Sequence, residues 1–134
     1  MTAYALDTNI IIHLLQNTPC VITQYNAHIT KGVHLIIPPY VDYEILRGLR
    51  YSNAIAKERM YQKLCASCEV GEMTRNVWLR AVDIYTNLRR KGFTVGDADT
   101  LIAAFCIEGN HTLVTNNIKD FMNVDGLALI DWIE

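Results

Sequence analysis

The sequence predicts an α/β fold, a three-layer α/β/α sandwich around a mostly parallel central sheet. Short apolar runs alternate with longer amphipathic ones along the whole chain, the order that builds parallel sheets from strand–helix units. The apolar runs show no in–out alternation, as expected of strands covered on both faces. The 134 residues are 51% hydrophobic and carry no repeat, linker or low-complexity stretch, so one domain is expected over residues 1–134.

Each element has a local reason. Tyr4-Ala5-Leu6 forms a short strand ending at Asp7, and Thr8-Asn9 cap a helix through Ile10, Ile11, Leu14 and Leu15. A second helix covers Val21 to Thr30 and closes at Lys31-Gly32. His34 to Ile37 reads as a buried strand cut off by Pro38-Pro39. Val41, Ile45 and Leu49 then recur at helical spacing, Ser52-Asn53 interrupt, and Ala54 to Leu64 forms a further helix. Thr74 to Arg90 is the longest amphipathic segment, with Val77, Trp78, Ala81, Val82, Tyr85 and Leu88 on one face. Arg89-Arg90-Lys91 suit its carbonyl end, and Gly92 stops it. Asp97 caps a helix that reaches Ile107, and Gly109-Asn110 end it. His111 to Thr115 is a strand, and Leu127 to Ile130 is the last one.

Composition excludes several functions. With 12 basic against 14 acidic residues, a net charge of −2, the chain does not hold nucleic acid by bulk charge. Its apolar runs fall far short of the ~18–20 residues that cross a membrane. The N-terminus shows no secretory signal, so a cytoplasmic protein with reduced thiols is expected. Cys65-Ala66-Ser67-Cys68 is a lone CxxC with no second pair, a poor metal site that reads as packing. His13, His28, His34 and His111 are scattered outside any triad pattern, which argues against histidine-based ribonuclease chemistry.

In open parallel sheets, ligands collect at the carboxyl ends of the strands. Asp7 stands at one such end and Thr115-Asn116-Asn117 at another. Glu44 lies in the first turns of the helix after Pro38-Pro39, and Asp99 opens the helix whose small Ala103 and Ala104 let it lie close to the sheet. Singly, each has a plain structural role: Asp7 a cap, Glu44 a solvated helix residue, Asp97 a cap, Asp99 a first-turn acid, Asn117 and Asp120 turn formers. Together they converge at one sheet edge. Crowded carboxylates shift toward their neutral forms unless a cation sits among them. Oxygen ligands without thiolate or imidazole suit Mg²⁺ or Mn²⁺. Such an ion lowers the pKa of bound water and stabilises in-line displacement at phosphorus, so metal-assisted phosphodiester hydrolysis is the expected chemistry.

The run Leu6-Asp7-Thr8-Asn9, then Tyr43-Glu44-Ile45, then Asp99-Thr100-Leu101-Ile102-Ala103-Ala104, then Val114 to Phe121 resembles the PIN-domain nucleases. Among these it is most similar to the VapC-type toxins of toxin–antitoxin pairs. The resemblance spans nearly the whole chain in the right order. It implies a Mg²⁺- or Mn²⁺-dependent endoribonuclease, usually a homodimer, neutralised by a cognate antitoxin whose tail occupies the acidic cleft. Asp7, Glu44 and Asp99 match the three main acids and are the implied metal ligands. Asn117 and Asp120 fall at the remaining site positions, and Asn117, being neutral, orients a water or ligand without adding charge. Cutting would leave 5′-phosphate and 3′-hydroxyl ends.

Other readings remain open at this level. Thr8 either hydrogen-bonds a neighbouring acid or ligand, or caps its helix. Arg47 and Arg50 either reach the RNA backbone or line a solvated helix face. An aspartyl-phosphate phosphatase wants a second acid two residues after Asp7, where Asn9 stands, and Lys119 suits a phospho-acceptor domain poorly. A PIN-like shell that binds RNA or a partner without cutting, and a PIN nuclease of RNA processing without an antitoxin, complete the alternatives.

Overall fold

The computed structural model describes residues 3–133. In chain order the elements are β1 (Tyr4–Leu6), α1 (Thr8–Leu15), α2 (Pro19–Thr30), β2 (Leu35–Ile37), α3 (Pro39–Tyr51), α4 (Ile55–Ser67) and β3 (Glu69–Val70). They continue with α5 (Arg75–Arg90), α6 (Asp97–Glu108), β4 (Thr112–Val114), α7 (Ile118–Phe121) and β5 (Leu129–Ile130). The strands form one sheet in the order β3-β2-β1-β4-β5, and every pairing is parallel. The α/β expectation holds.

Burial shows why the sheet is the middle layer. Leu35, Ile36 and Ile37 are all buried, as are Ala5, Leu6, Leu113 and Val114. Successive strand residues point to opposite faces, so both faces are covered by helices. Ala103 and Ala104 are fully buried in α6, the helix expected to lie close to the sheet.

Several local expectations are corrected. Asp7, rather than Thr8-Asn9, caps α1: its carboxylate accepts the Thr8 N–H at 2.8 Å. Gly96, rather than Asp97, is the cap of α6, which leaves Asp97 in the first turn. β3 and α7 are short elements without a sequence signal of their own. β3 has two residues and exists because it pairs with Ile36 and Ile37 of β2. The last strand is confined to Leu129–Ile130. On α5 the buried stripe is Val77, Ala81, Ile84 and Leu88, while Trp78, Val82 and Tyr85 stand 44–60% exposed. The apolar arc of α5 is wider than the part its own core can cover.

The expected breaks fall in place. Asn53 and Asn110 adopt left-handed backbone, φ 55 and 56, where the sequence interrupts two helices. All four cysteines are free; Cys65 and Cys68 are half-buried at the end of α4 and pack as expected.

Candidate active site

The chain winds from β1 outward through β2 to β3, then returns to place β4 on the other side of β1. The crevice between the carboxyl ends of β1 and β4 is therefore the topological switch point of the sheet. Asp7 follows β1 and Thr115 follows β4, and both are buried. The Asp7 N–H donates to the Val114 carbonyl at 3.0 Å, which locks the two strand ends side by side.

The Asp7 carboxylate is held from three directions. Thr115 Oγ1 donates to its Oδ2 at 2.7 Å, Asn9 Nδ2 to the same oxygen at 3.1 Å, and the Thr8 N–H to Oδ1. Asn9 also accepts the Asn116 N–H at 3.0 Å, so its amide ties α1 to the segment after β4. Burial pushes the Asp7 carboxyl up from its ordinary range; the three hydrogen bonds pull it back, and the charge of Glu44 pushes it up again.

Glu44 reaches the crevice from the second turn of α3. The proline pair before it starts that helix directly at the end of β2. Thr8 Oγ1 donates to Glu44 Oε1 at 2.8 Å, so Thr8 serves a neighbouring acid rather than its own helix end. Arg47 Nη2 stands 3.8 Å from Glu44 Oε2 and lies over the Tyr43 ring, while Arg50 pairs instead with Glu58.

Asp99 enters from the first turn of α6. Its carboxyl is pushed up to about 6, first by burial and then by the charges of Asp120, Asp7 and Glu44. Each of these acids comes from a different segment, and they share one field. The Asn117 side chain is exposed, and its backbone N–H donates to Thr115 Oγ1 at 2.9 Å. Thr115 was among the polar residues expected at a strand end, whereas the role of Asn9 in holding the Asp7 carboxylate was not singled out from the sequence. The signal at Thr115 is a polar residue directly after a buried parallel strand; Asn9, in the first turn of α1, carries none of that kind.

The donor set is all carboxylate, mutually repulsive and placed where a hard dication would relieve the repulsion. Among the described residues, no group of three or more acidic, histidine or cysteine side chains stands close enough together to hold a metal ion. Mg²⁺ needs no such group, since it binds through one or two carboxylates and keeps several waters. The residues therefore fit a Mg²⁺-type ion and not a tight structural site.

Comparison with known proteins decides the family, because the PIN domain matches residues 4–127. The chain belongs to the PIN-domain family. It is similar to Ribonuclease VapC2 of Rickettsia felis, 31% identical over 132 residues that cover 96% of this chain and 97% of that protein. It is also similar to the tRNA(fMet)-specific endonuclease VapC of Salmonella typhimurium, 27% identical over 136 residues, 98% and 99% of the two chains. A chain in the crystal structure of VapBC2 from Rickettsia felis, bound to a DNA fragment from their promoter, matches this PIN fold. The TM-score is 0.90 at 26% identity, covering 98% of this chain and 99% of that one. VapBC-1 from nontypeable Haemophilus influenzae matches with a TM-score of 0.87 at 27% identity over 99% and 100%. No helix in the described residues is long and apolar enough to cross a membrane.

Proposed function

We propose that this PIN-domain protein is a Mg²⁺- or Mn²⁺-dependent endoribonuclease, the toxin of a toxin–antitoxin pair. RNA-cleaving hydrolysis is the activity of the VapC ribonucleases it resembles over their whole length. A protein antitoxin is the partner that the VapBC complexes among its structural neighbours point to. The observation that carries the chemistry is Asp99, held near 6 by burial and by Asp120, Asp7 and Glu44 at the sheet's switch point. A dication bound there would reverse that repulsion.

Asp7, Glu44 and Asp99 would hold the ion, directly or through its bound waters. When bound, it supplies positive charge and Lewis acidity at the scissile phosphate. The protein's part is positioning. Thr115 and Asn9 fix the Asp7 carboxylate against β4, and Thr8 fixes Glu44 against α1, so the two acids meet the substrate in set orientations. Asp120 adds negative charge at the Asp99 side, and Asn117 lies at the mouth, where its amide can orient a water or the RNA. The homodimer implied by the family resemblance would cover the exposed Trp78, Val82 and Tyr85 of α5.

The test is incubation of the purified protein with labelled RNA, Mg²⁺ or Mn²⁺, and then EDTA. Internal cuts that stop on chelation, and that Asp7→Asn abolishes, are the expected result. Full activity of Asp7→Asn with Mg²⁺ present would end the assignment, and RNA bound without cutting would leave a binding shell.

A further inference from the structure

Asp99 and Asp120 form one wall of a mostly polar pocket whose other walls carry no acid. The loop between α5 and α6, the start of α6 and helix α7 enclose it, and Phe93, Gly96, Asp99, Lys119, Asp120 and Asn123 line it. Phe93 is placed there by the end of α5. Gly92 takes φ 88 and donates its N–H to the Arg89 carbonyl, and the Phe93 N–H donates to the Leu88 carbonyl at 2.9 Å. That pair of bonds is a Schellman closure, in which the residue after the glycine packs back on the helix. One side of the Phe93 ring can serve that contact, yet Phe93 remains 41% exposed beside the pocket. Lys119 makes no ion pair among the described residues. An exposed aromatic ring on a fixed backbone, an amide, and a cation without an ion pair among the described residues stand around one small polar pocket, opposite Asp99 and Asp120. They match the parts of a single nucleotide: base plane, base edge and phosphate.

We propose that the pocket bounded by Phe93, Lys119 and Asn123 holds one unstacked nucleotide of single-stranded RNA next to the cut. Phe93 stacks its base, Asn123 reads the base edge, and Lys119 pairs with its phosphate. The proposal rests on the ribonuclease reading above and gives it a specificity site: duplex RNA, whose bases are stacked internally, cannot fill the pocket. A protein side chain is a poorer occupant, because the lining is mostly polar and offers no deep apolar hole for an anchor residue.

The test uses a labelled stem-loop RNA that the wild-type protein cuts, with a single abasic nucleotide introduced in turn at each position flanking the cut. Base–aromatic stacking corresponds to roughly five- to 150-fold in kcat/KM. One abasic position should lower wild-type cleavage by that much. Phe93→Leu, which keeps the apolar contact with the helix end, should cut the intact RNA as slowly and be indifferent to the abasic site. Phe93→Trp should restore both the rate and the sensitivity. If the losses from Phe93→Leu and from the abasic site multiply at every position, or if Phe93→Leu cuts normally, the nucleotide pocket is overturned while the ribonuclease stands. A wild-type protein that cuts no RNA in Mg²⁺ or Mn²⁺ instead overturns the ribonuclease reading, and the pocket with it.

Discussion

The two ends of the sheet carry similar amounts of titratable chemistry and use it in opposite ways. At the carboxyl ends of β1 and β4 the charges of Asp120, Asp7 and Glu44 all act on Asp99, and Thr8, Asn9 and Thr115 orient Glu44 and Asp7. At the amino ends, His34 precedes β2, Glu69 opens β3 and His111 precedes β4. There the groups satisfy one another or nothing. His34 Nε2 lies 3.0 Å from Glu69 Oε1, and His111 packs on the Phe105 ring with its Nδ1 buried and unpaired among the described residues. Burial of ionisable groups alone does not mark a site. Convergence of like charges, with a hydroxyl and amide frame built around them, does.

The two ends also pull stability in opposite directions with pH. Asp99 keeps its proton up to about 6 in the folded protein, whereas the unfolded chain releases it near 3.8. The folded state thus binds more protons between those values, and the ion-free protein loses stability as pH rises through them. His111 is lowered from 6.5, first by burial and then by the charge of His34. Below 6.5 the unfolded chain takes up a proton that the folded state resists, so this end loses stability as pH falls.

The largest expected effect breaks the comparison if it fails. Asp7→Asn or Glu44→Gln should lower RNA cleavage by more than about a hundredfold with the circular dichroism spectrum unchanged. His34→Gln at the other end should leave cleavage within about twofold of wild type, well below the roughly 10- to 100-fold that a lost orienting partner costs. Equal damage from both ends, read on the same labelled RNA, would erase the distinction. Thr115→Val is next. It keeps the shape of a buried residue but removes the donor to Asp7 Oδ2, and should slow cleavage by about 10- to 100-fold. A Thr115→Ser protein should recover most of the rate.

Thermal melts in EDTA sharpen the pH contrast. The wild-type melting temperature should fall by a few degrees between pH 4 and 6 relative to Asp99→Asn, and added Mg²⁺ should recover the loss above pH 6. A melting curve for Asp99→Asn that parallels wild type across that range would refute the assigned origin. The smallest effect belongs to the amino end: Glu69→Gln breaks an exposed pair with His34 and should cost less than about 1 kcal/mol in denaturant unfolding.

Much of this was legible in the sequence, for reasons tied to range. Strands β1, β2 and β4 announce themselves as short apolar runs and α3 and α5 as periodic ones, because burial of one face is written within a single element, while α6 reads as an apolar body between Asp97 and Gly109-Asn110. The acids Asp7, Glu44 and Asp99 were legible as residues that interrupt or follow those runs. β3 was not: its Glu69 and Val70 become a strand only through pairing with β2. Nor was the exposure of Trp78, Val82 and Tyr85, since periodicity gives the width of an apolar arc but not how much of it the core reaches. The sequence offered both Asp7 and Thr8-Asn9 as the cap of α1 and placed the α6 cap one residue late at Asp97, because a side chain able to cap says nothing of which backbone conformation it adopts.

The amino-acid order alone determined the alternation of strands and helices, the side chains available at the strand ends and the absence of thiol or imidazole from that set. Tertiary structure decided that these side chains meet. Thr115 reaches Asp7 across 108 residues and Thr8 reaches Glu44 across 36, and neither distance is encoded in any local pattern. They are set by which strand lies beside β1, and parallel pairing through long crossovers is a choice made by the packed sheet as a whole.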